Sequence, residues 1–140
     1  MDDLVIRPFQ AADEAGIAAL WGEVFPNPSP WNMPAADIRR KKAVQPELFF
    51  VSVQNKRIIG TAMGGYDGHR GWVYYLGVHP DFRRSGVGSM LMRAVEEGRI
   101  AIGCSKLNLQ VRASNVDVVN FYKQLGYSTE EHVSMGKRLV

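Results

Sequence analysis

The junction between residues 71–80 and 86–102 constrains the possible folds of this chain most strongly. Residues 71–80, "GWVYYLGVHP", are rich in aromatic and branched side chains, as a buried strand is, and Pro80 closes the segment. Residues 86–102 place apolar side chains at helical spacing. Two arginines stand in the short loop between these segments. Because a strand, a loop and a helix start bring unpaired backbone N–H groups to one point, the sequence predicts an anion-binding junction.

The residues of the loop indicate what kind of anion it binds. Gly86 and Gly88 let the backbone approach a ligand without a Cβ in the way, and Arg83 and Arg84 add positive charge. This combination predicts a phosphate or pyrophosphate. The Walker pattern needs a Gly-Lys-Ser/Thr ending that is absent, and the dinucleotide pattern needs glycine where Leu91 stands. A different phosphate-binding loop is therefore indicated.

The composition suits one folded domain covering residues 1–140. Apolar residues make up 46% of the chain and charged residues 22%, which is ordinary for a globular protein. No apolar run approaches the roughly 20 residues of a membrane span, and the acidic start is unlike a signal peptide. With one cysteine and no zinc-ligand spacing, neither a disulfide framework nor a metal site is indicated. We therefore expect a cytoplasmic protein that uses no metal and does not bind a membrane.

Strands and helices follow one another along the chain. Apolar runs and period-two alternation predict strands over 4–9, 48–53, 57–66, 71–80, 106–111 and 133–139. Apolar residues at helical spacing predict helices over 12–25, 86–102 and 115–126, and a short charged helix is expected over 35–44. The pattern predicts a mixed α/β sandwich whose first half is rich in hairpins.

Two segments carry a resemblance to a known family. Residues 83–88, Arg-Arg-Ser-Gly-Val-Gly, together with the preceding "YLGVHPDF", resemble the coenzyme A loop of the GNAT superfamily of N-acetyltransferases. Downstream, "VRASN" at 111–115 precedes a helix that carries Tyr122 and ends in Leu-Gly-Tyr at 125–127, which resembles the second signature of the superfamily. The resemblance covers nearly the whole chain.

The resemblance implies a fold and a reaction. The implied GNAT fold has a mostly antiparallel, twisted sheet of about six to seven strands, splayed between strands 4 and 5 and flanked by about four helices. The implied reaction is direct transfer of acetyl from acetyl-CoA to an amine of a small molecule, a peptide or a protein N-terminus. The stretches "PWN" (30–32) and "GGYDGHRG" (64–71) are similar to a YpeA-type group of bacterial GNAT proteins, which adds no known substrate.

Cofactor-binding residues follow from the same resemblance. The backbone of Leu76, Gly77 and Val78 would hold the pantetheine arm as if it were another strand, and the Val78 N–H would polarise the thioester carbonyl. The amides from Arg84 to Ser89 would cradle the pyrophosphate. The implied cofactor-binding set is Leu76, Gly77, Val78, Arg83, Arg84, Ser85, Gly86, Val87, Gly88, Ser89, Asn115 and Tyr122. For Asn115 a plain helix N-cap is the alternative, since asparagine is a preferred cap.

Tyr122 is the implied general acid. The departing CoA sulfur needs a proton, and a tyrosine with a pKa near 10 is still protonated at neutral pH. The alternative is a buried core tyrosine on the inner face of the last helix.

The group that takes the proton of the amine is less evident. Many relatives place a carboxylate early in the fourth strand or within the fifth, where this chain has Trp72 or Tyr74 and Gln110. Asp67 and His69 are the nearest candidates in kind, although both residue types are also common in turns. A water-mediated route without a single base is equally open.

The acceptor site is expected in two loops. Trp31 and Asn32 lie in a proline-rich loop, and Tyr66, Asp67 and His69 lie in a glycine-rich turn. Loops that flank a cleft usually carry specificity. Trp31 as a lid over the core is the alternative.

Other functions stay open at this point. A CoA-binding sensor without catalysis would keep the same loop. The basic run 39–42 would suit nucleic acid, but consecutive charges point around a helix, so a solvated face is favoured and no nucleic acid is expected. The predicted last strand would be an exposed edge through which a homodimer could form.

Overall fold

The computed structural model describes residues 3–140, in which one five-stranded sheet is flanked by helices. The strands are β1 (Leu4–Pro8), β2 (Phe49–Gln54), β3 (Arg57–Tyr66), β4 (Gly71–Val78) and β5 (Leu107–Leu109). The helices are α1 (Glu14–Val24), α2 (Pro34–Lys42), α3 (Val87–Ala101) and α4 (Val116–Gln124), with 3-10 turns at Ala11–Asp13, Pro46–Leu48 and Pro80–Phe82. The strand order is β1-β2-β3-β4-β5, antiparallel except for the parallel pair β4–β5. The expected mixed α/β class is confirmed.

The chain divides into two compact units, Met1–Gln110 and Val111–Val140. The first unit contains the sheet and helices α1 to α3, and the second contains α4. That residues 1–140 act as a single domain stays a prediction. In the described part of the chain, no helix is both long and apolar enough to cross a membrane.

The core of the first unit forms between α1 and the sheet. Ile17, Leu20 and Trp21 stand at i, i+3 and i+4 of α1 and are buried against Phe49 and Val51 of β2. This spacing places the three side chains on one face of the helix. Burial of each side chain contributes roughly 1.5–3 kcal/mol, so this face holds α1 on the sheet.

A bulge in β4 is built around Trp21. The Trp21 indole N–H donates to Thr61 Oγ1 (2.9 Å), and the Thr61 hydroxyl donates to the Tyr75 carbonyl (2.8 Å). The rings of Trp21 and Tyr75 stack with centroids 4.0 Å apart. Tyr75 has φ +53°, and the β3–β4 register shifts between Thr61 and Met63. The bulge therefore bends β4 at Tyr75 and redirects its last residues, Leu76 to Val78.

The sheet opens between β4 and β5. Strand β5 pairs only with Gly71, Trp72 and Val73, although β4 continues to Val78. In the sheet formed by the described residues, the β5-facing edge of residues 74–78 has no paired strand. The expected splay between the fourth and fifth strands is confirmed.

The structure confirms the predicted hairpin of β2 and β3, a prediction that rests on a short-range sequence pattern. The hairpin of β2 and β3 turns at Asn55 and Lys56, which have φ +51° and +66°. Two consecutive residues with positive φ form the turn type that matches the twist of antiparallel strands.

The predicted strand over 133–139 is wrong. The structure has no strand among residues 110–140, so the sheet has five strands rather than six or seven. Val133, Met135 and Leu139 are 88%, 90% and 87% exposed. Alternation alone does not make a strand, because a strand also needs a neighbour for its hydrogen bonds and a surface for its apolar face. The homodimer itself stays a prediction, because no observation tests it.

Candidate active site

The loop between β4 and α3 has the geometry of an anion site. After the 3-10 turn Pro80–Phe82, Arg84 adopts φ +65° and Gly86 adopts φ +86° at the N-cap of α3. No side chain caps the helix, and its first turn contains no acidic residue. The N–H groups of the first turn have no acceptor inside the helix. The positive end of the α3 dipole therefore faces the loop without a neutralising carboxylate in that turn.

Short contacts hold the loop in this shape. His79 Nδ1 accepts from the Asp81 N–H (3.1 Å), and its Nε2 lies 2.8 Å from Glu23 Oε2. The Arg83 Nε–H donates to the Val78 carbonyl (3.3 Å), and the Ser85 hydroxyl donates to the Phe82 carbonyl. His79 is buried, whereas the sequence from Arg83 to Gly86 is exposed. These contacts therefore hold the loop at its buried His79 end, while Arg83 to Gly86 are exposed to solvent.

The first unit brings most of the expected cofactor residues together. Leu76, Gly77 and Val78 form the unpaired end of β4, and the backbone of Gly77 packs so closely on α1 that a Cβ would lie 2.8 Å from Val24. The loop holds Arg83, Arg84, Ser85 and Gly86, and the first turn of α3 holds Val87, Gly88 and Ser89. Strand edge and helix start are therefore neighbours along one short segment. Their roles toward a cofactor stay predictions.

Asn115 and Tyr122 lie in the second unit. Asn115 occupies the N-cap position of α4, but its side chain makes no capping hydrogen bond and is exposed. Tyr122 is buried, and its ring meets those of Phe121 and Tyr127 edge-on, with centroids 5.2 and 5.7 Å apart. Burial raises the pKa of Tyr122 to about 12. The hydroxyl is therefore protonated at neutral pH, as a proton donor must be, while its role as the acid stays a prediction.

Asp67 and His69 are placed in the β3–β4 turn. Asp67 Oδ1 accepts from the His69 and Arg70 backbone N–H groups, each at 2.8 Å. The bonds from Arg70 and His69 lower the pKa of the Asp67 carboxyl. Tyr66, just before the turn, is held through its backbone by the Gln45 amide, with both hydrogen bonds 2.8 Å long. These contacts are those of a turn carboxylate, and a base role for Asp67 or His69 stays a prediction.

A cleft of about 560 Å³ lies between α2 and the β3–β4 sheet. We call it the α2 cleft; its lining residues are Asn32, Asp37, Arg40, Lys41, Val44, Met63, Tyr74 and Tyr75. Of the residues expected at the acceptor site, Asn32 lines it. Trp31, the preceding residue, is 50% exposed. The turn with Asp67 and His69 does not contribute to the lining.

The α2 cleft contains a carboxylate that the sequence analysis missed. Asp37 accepts hydrogen bonds from the Tyr75 hydroxyl and from Arg40. Burial, followed by the bond to Asp37, raises the pKa of Tyr75. Asp37, Lys41 and Val44 stand at i, i+4 and i+7, so helical spacing was a signal that could have placed them on one face. That this face lines a cleft depends on how α2 packs.

Lys41 is a buried cation on the wall of this cleft. It is 8% exposed, and its Nζ donates to the Gly64 carbonyl. Burial lowers the pKa of Lys41 from 10.5 to about 8, with a second contribution from the positive charge of Arg99 and an opposing one from Glu47. None of the ion pairs found among residues 3–140 includes Lys41. The ammonium is therefore held by a carbonyl rather than by a counter-charge.

The low pKa of Lys41 predicts a stability that increases with pH between about 8 and 10.5. In that window the unfolded chain still binds the proton that the folded protein has released, so rising pH favours the folded state. The full effect is at most about 3 kcal/mol. Urea unfolding at pH 7 and pH 10 should show wild type gaining roughly 1–3 kcal/mol relative to Lys41→Met. The Lys42→Met control should follow the wild-type pH dependence, and parallel curves for wild type and Lys41→Met would contradict the assignment.

The basic run 39–42 does not present one charged surface. Arg39 donates to the Ala35 carbonyl of its own helix (3.3 Å), and Lys42 pairs with Glu14 (2.9 Å). Arg40 pairs with Asp37. The expected solvated face is correct for Arg39 and Arg40, which are exposed, but wrong for Lys41, which α2 turns toward the sheet.

Between residues 3 and 140, no group of three or more His, Cys, Asp or Glu side chains is placed to hold a metal ion.

Comparison with known proteins identifies the family. The sequence model described as "Acetyltransferase (GNAT) family" matches residues 15–127. An acetyltransferase of Yersinia enterocolitica is 47% identical over 135 residues, which cover 96% of this chain and 95% of the relative. An acetyltransferase of Pectobacterium atrosepticum is 46% identical with the same coverage. The structure of the aminoglycoside N-acetyltransferase AAC(6')-Iy in complex with CoA is similar in fold, with a TM-score of 0.82 and 19% identity over 98% of this chain and 95% of that one. The chain therefore belongs to the GNAT family of acetyltransferases.

Proposed function

We propose that this protein is an acetyl-CoA-dependent N-acetyltransferase that transfers acetyl directly to an amine. The observation that carries the proposal is the continuous segment from the unpaired end of β4 to the uncapped start of α3. Glycine suits position 86 of this segment, because φ is +86° there and residues with a side chain rarely adopt that conformation. The similar fold of a CoA complex supports the same assignment.

The residues of the first unit would bind and orient the cosubstrate. The N–H groups at the start of α3, supplemented by Arg83 and Arg84, would hold the pyrophosphate. The unpaired edge from Leu76 to Val78 would hold the pantetheine arm by strand-like hydrogen bonds. The Val78 N–H would then stabilise the developing oxyanion, a contribution of a few kcal/mol when the donor is oriented in advance. Acetyl-CoA supplies the activated acyl group.

The transfer requires two proton movements. A C–N bond forms and the C–S bond breaks, so the sulfur gains a proton and the amine loses one. Tyr122 would donate to the sulfur. Asp37 in the α2 cleft is a carboxylate that would attract the acceptor ammonium, and the proton of the amine would leave through a carboxylate or through water. Asp37 would thus supply the negative charge that is absent at Tyr74 in β4 and at Gln110, just after β5.

The loop assignment predicts that Gly86→Val weakens acetyl-CoA binding at least tenfold. Valine cannot adopt φ +86° without strain, so the loop must rearrange and N–H donors to the pyrophosphate are lost. Isothermal titration calorimetry gives the dissociation constant. Gly103→Val is a matched control, because Gly103 has φ +88° and open space around it but lies at the opposite end of α3. Equal affinity of the two variants for acetyl-CoA would reject the loop as the binding site.

Thiol release separates an enzyme from a sensor. We would screen amino acids, polyamines, aminoglycosides and short peptides as acceptors at saturating acetyl-CoA and measure the thiol that each releases. Release that depends on one class of amine supports the transferase. Tight binding of acetyl-CoA without release for any amine would reject it in favour of a CoA-binding regulatory module.

A further inference from the structure

The charged side chains of the α2 cleft differ in how completely their charges are paired. Asp37, its carboxylate, already has Arg40 and the Tyr75 hydroxyl as partners. Lys41, more deeply buried, has the Gly64 carbonyl. An ammonium can donate three hydrogen bonds, so Lys41 keeps donors for another acceptor. The cleft therefore holds a buried positive charge whose neutralisation is incomplete.

An anion in the cleft would complete this arrangement. A buried cation held only by a neutral acceptor is unfavourable, and a carboxylate beside it gives a charge-assisted hydrogen bond about twice as strong as a neutral one. The guanidinium of Arg99 donates to the Gly65 and Trp72 carbonyls, which adds positive charge on the far side of β3. Asp37 can attract one ammonium, but the further ammonium groups of a polycation would meet the positive charges of Arg40 and Lys41. The cleft thus favours a ligand with negative charge over a polycation.

We propose that the acetyl acceptor carries a carboxylate together with its amine, and that Lys41 binds this carboxylate on the wall of the α2 cleft. The acceptor is then a free amino acid or a short peptide, rather than a polyamine or an aminoglycoside. The inference rests on the proposed function, since it specifies the acceptor of that reaction. Lys41 acts as a specificity-determining residue and Asp37 attracts the ammonium of the same acceptor.

The test compares each of the twenty L-amino acids with its C-terminal amide, with spermidine as the polycation. Thiol release at saturating acetyl-CoA gives KM and kcat for every acceptor. For the amino acid with the highest kcat/KM, the free acid should exceed its C-terminal amide in kcat/KM by roughly 10- to 100-fold. This factor corresponds to the free energy of one hydrogen bond between charged groups. The difference should lie in KM, because a group that binds the carboxylate acts before the chemical step.

Two variants connect the preference to Lys41. Lys41→Met should bring the acid-to-amide ratio of kcat/KM to about one, and Lys41→Arg, which keeps the charge, should retain part of the preference. Lys42→Met is the matched control, since Lys42 pairs with Glu14 outside the cleft, and its ratio should equal that of wild type. Circular dichroism shows whether each variant is folded.

The outcomes distinguish this inference from the proposed function. Equal use of acids and amides by wild type, or preference for spermidine, would overturn the inference while the transferase activity stands, and this comparison needs no variant. An acid preference that survives in folded Lys41→Met would overturn the role of Lys41. Absence of thiol release with every amine would overturn the proposed function and the inference with it.

Discussion

Replacing Gly64 with alanine is expected to lower the free energy of unfolding by about 3 kcal/mol or more, which is at the upper end for an overpacked core position. A Cβ at Gly64 would lie 1.7 Å from Arg99 Nη2 and 2.5 Å from Arg99 Cζ. Both atoms belong to the guanidinium of Arg99, a residue that is 1% exposed. The alanine therefore fits only if the guanidinium moves.

The hydrogen bonds of Arg99 oppose such a movement. Its guanidinium donates to the carbonyls of Gly65 (3.2 Å), Val95 (3.2 Å) and Trp72 (3.0 Å), which connects α3 to β3 and β4. Displacing the group would leave a buried charge and several carbonyls without partners. Breaking the contacts of a buried charge typically costs 3–5 kcal/mol.

Urea unfolding measures this loss, and two further variants isolate its cause. Gly22→Ala is the control, since Gly22 lies in α1 with open space around it and should gain up to about 1 kcal/mol in helix propensity. In an Arg99→Met background, Gly64→Ala should cost much less than in wild type, because the obstructing group is gone. If Gly64→Ala alone lowers the free energy of unfolding by less than about 1 kcal/mol, the Arg99 guanidinium can move to another position at little cost, which would contradict the prediction.

The second large effect is expected on catalysis. Tyr122→Phe should lower kcat by roughly 100- to 1,000-fold, within the range that general acid catalysis contributes, and should leave the dissociation constant of acetyl-CoA within about twofold of wild type. The variant removes one hydroxyl and keeps the ring that packs on Phe121 and Tyr127. Because burial raises the pKa of Tyr122 to about 12, the acid form persists across the neutral range, and wild-type kcat should not fall from loss of this proton below about pH 11.

Steady-state kinetics with an acceptor from the screen measures kcat, and calorimetry measures the affinity for acetyl-CoA. Tyr127→Phe is the control, since it removes a hydroxyl from the ring beside Tyr122 and should change kcat by less than about threefold. If Tyr122→Phe leaves both kcat and affinity unchanged, Tyr122 is a core tyrosine and another group protonates the sulfur. If affinity falls as far as kcat/KM, Tyr122 binds the cosubstrate rather than acting as the acid.

Short-range sequence signals predicted the segment from β4 through the loop to α3 well. Strand β4 ends before Pro80 and α3 begins after Gly86 because proline and a left-handed glycine stop and restart regular structure. The β2–β3 hairpin follows from two polar residues between apolar runs. The α3 face with Val87, Leu91 and Val95 is buried as its spacing predicts.

Apart from Asn32, the residues of the α2 cleft were not predicted as a site. A run of four basic residues gives no indication of which side chain α2 turns toward the sheet, and Lys41 is buried although lysine is among the residue types least often buried. Asp37 reaches Tyr75, 38 positions away, through packing of α2 on the β4 bulge. Similarly, the alternation at 133–139 did not become a strand, because no neighbour pairs with it in the described sheet.

The sequence by itself determined the order of the elements, the loop that brings backbone N–H groups and arginines together, and the family, because each depends on residues close together in the chain. Only the tertiary structure decided which polar groups share a cleft, because Asp37, Lys41, Gly64 and Tyr75 meet through the packing of a helix on a bulged strand. The burial that lowers the pKa of Lys41 is likewise a property of that packing. The proposed preference of Lys41 for an anion therefore depends on the fold rather than on any local pattern.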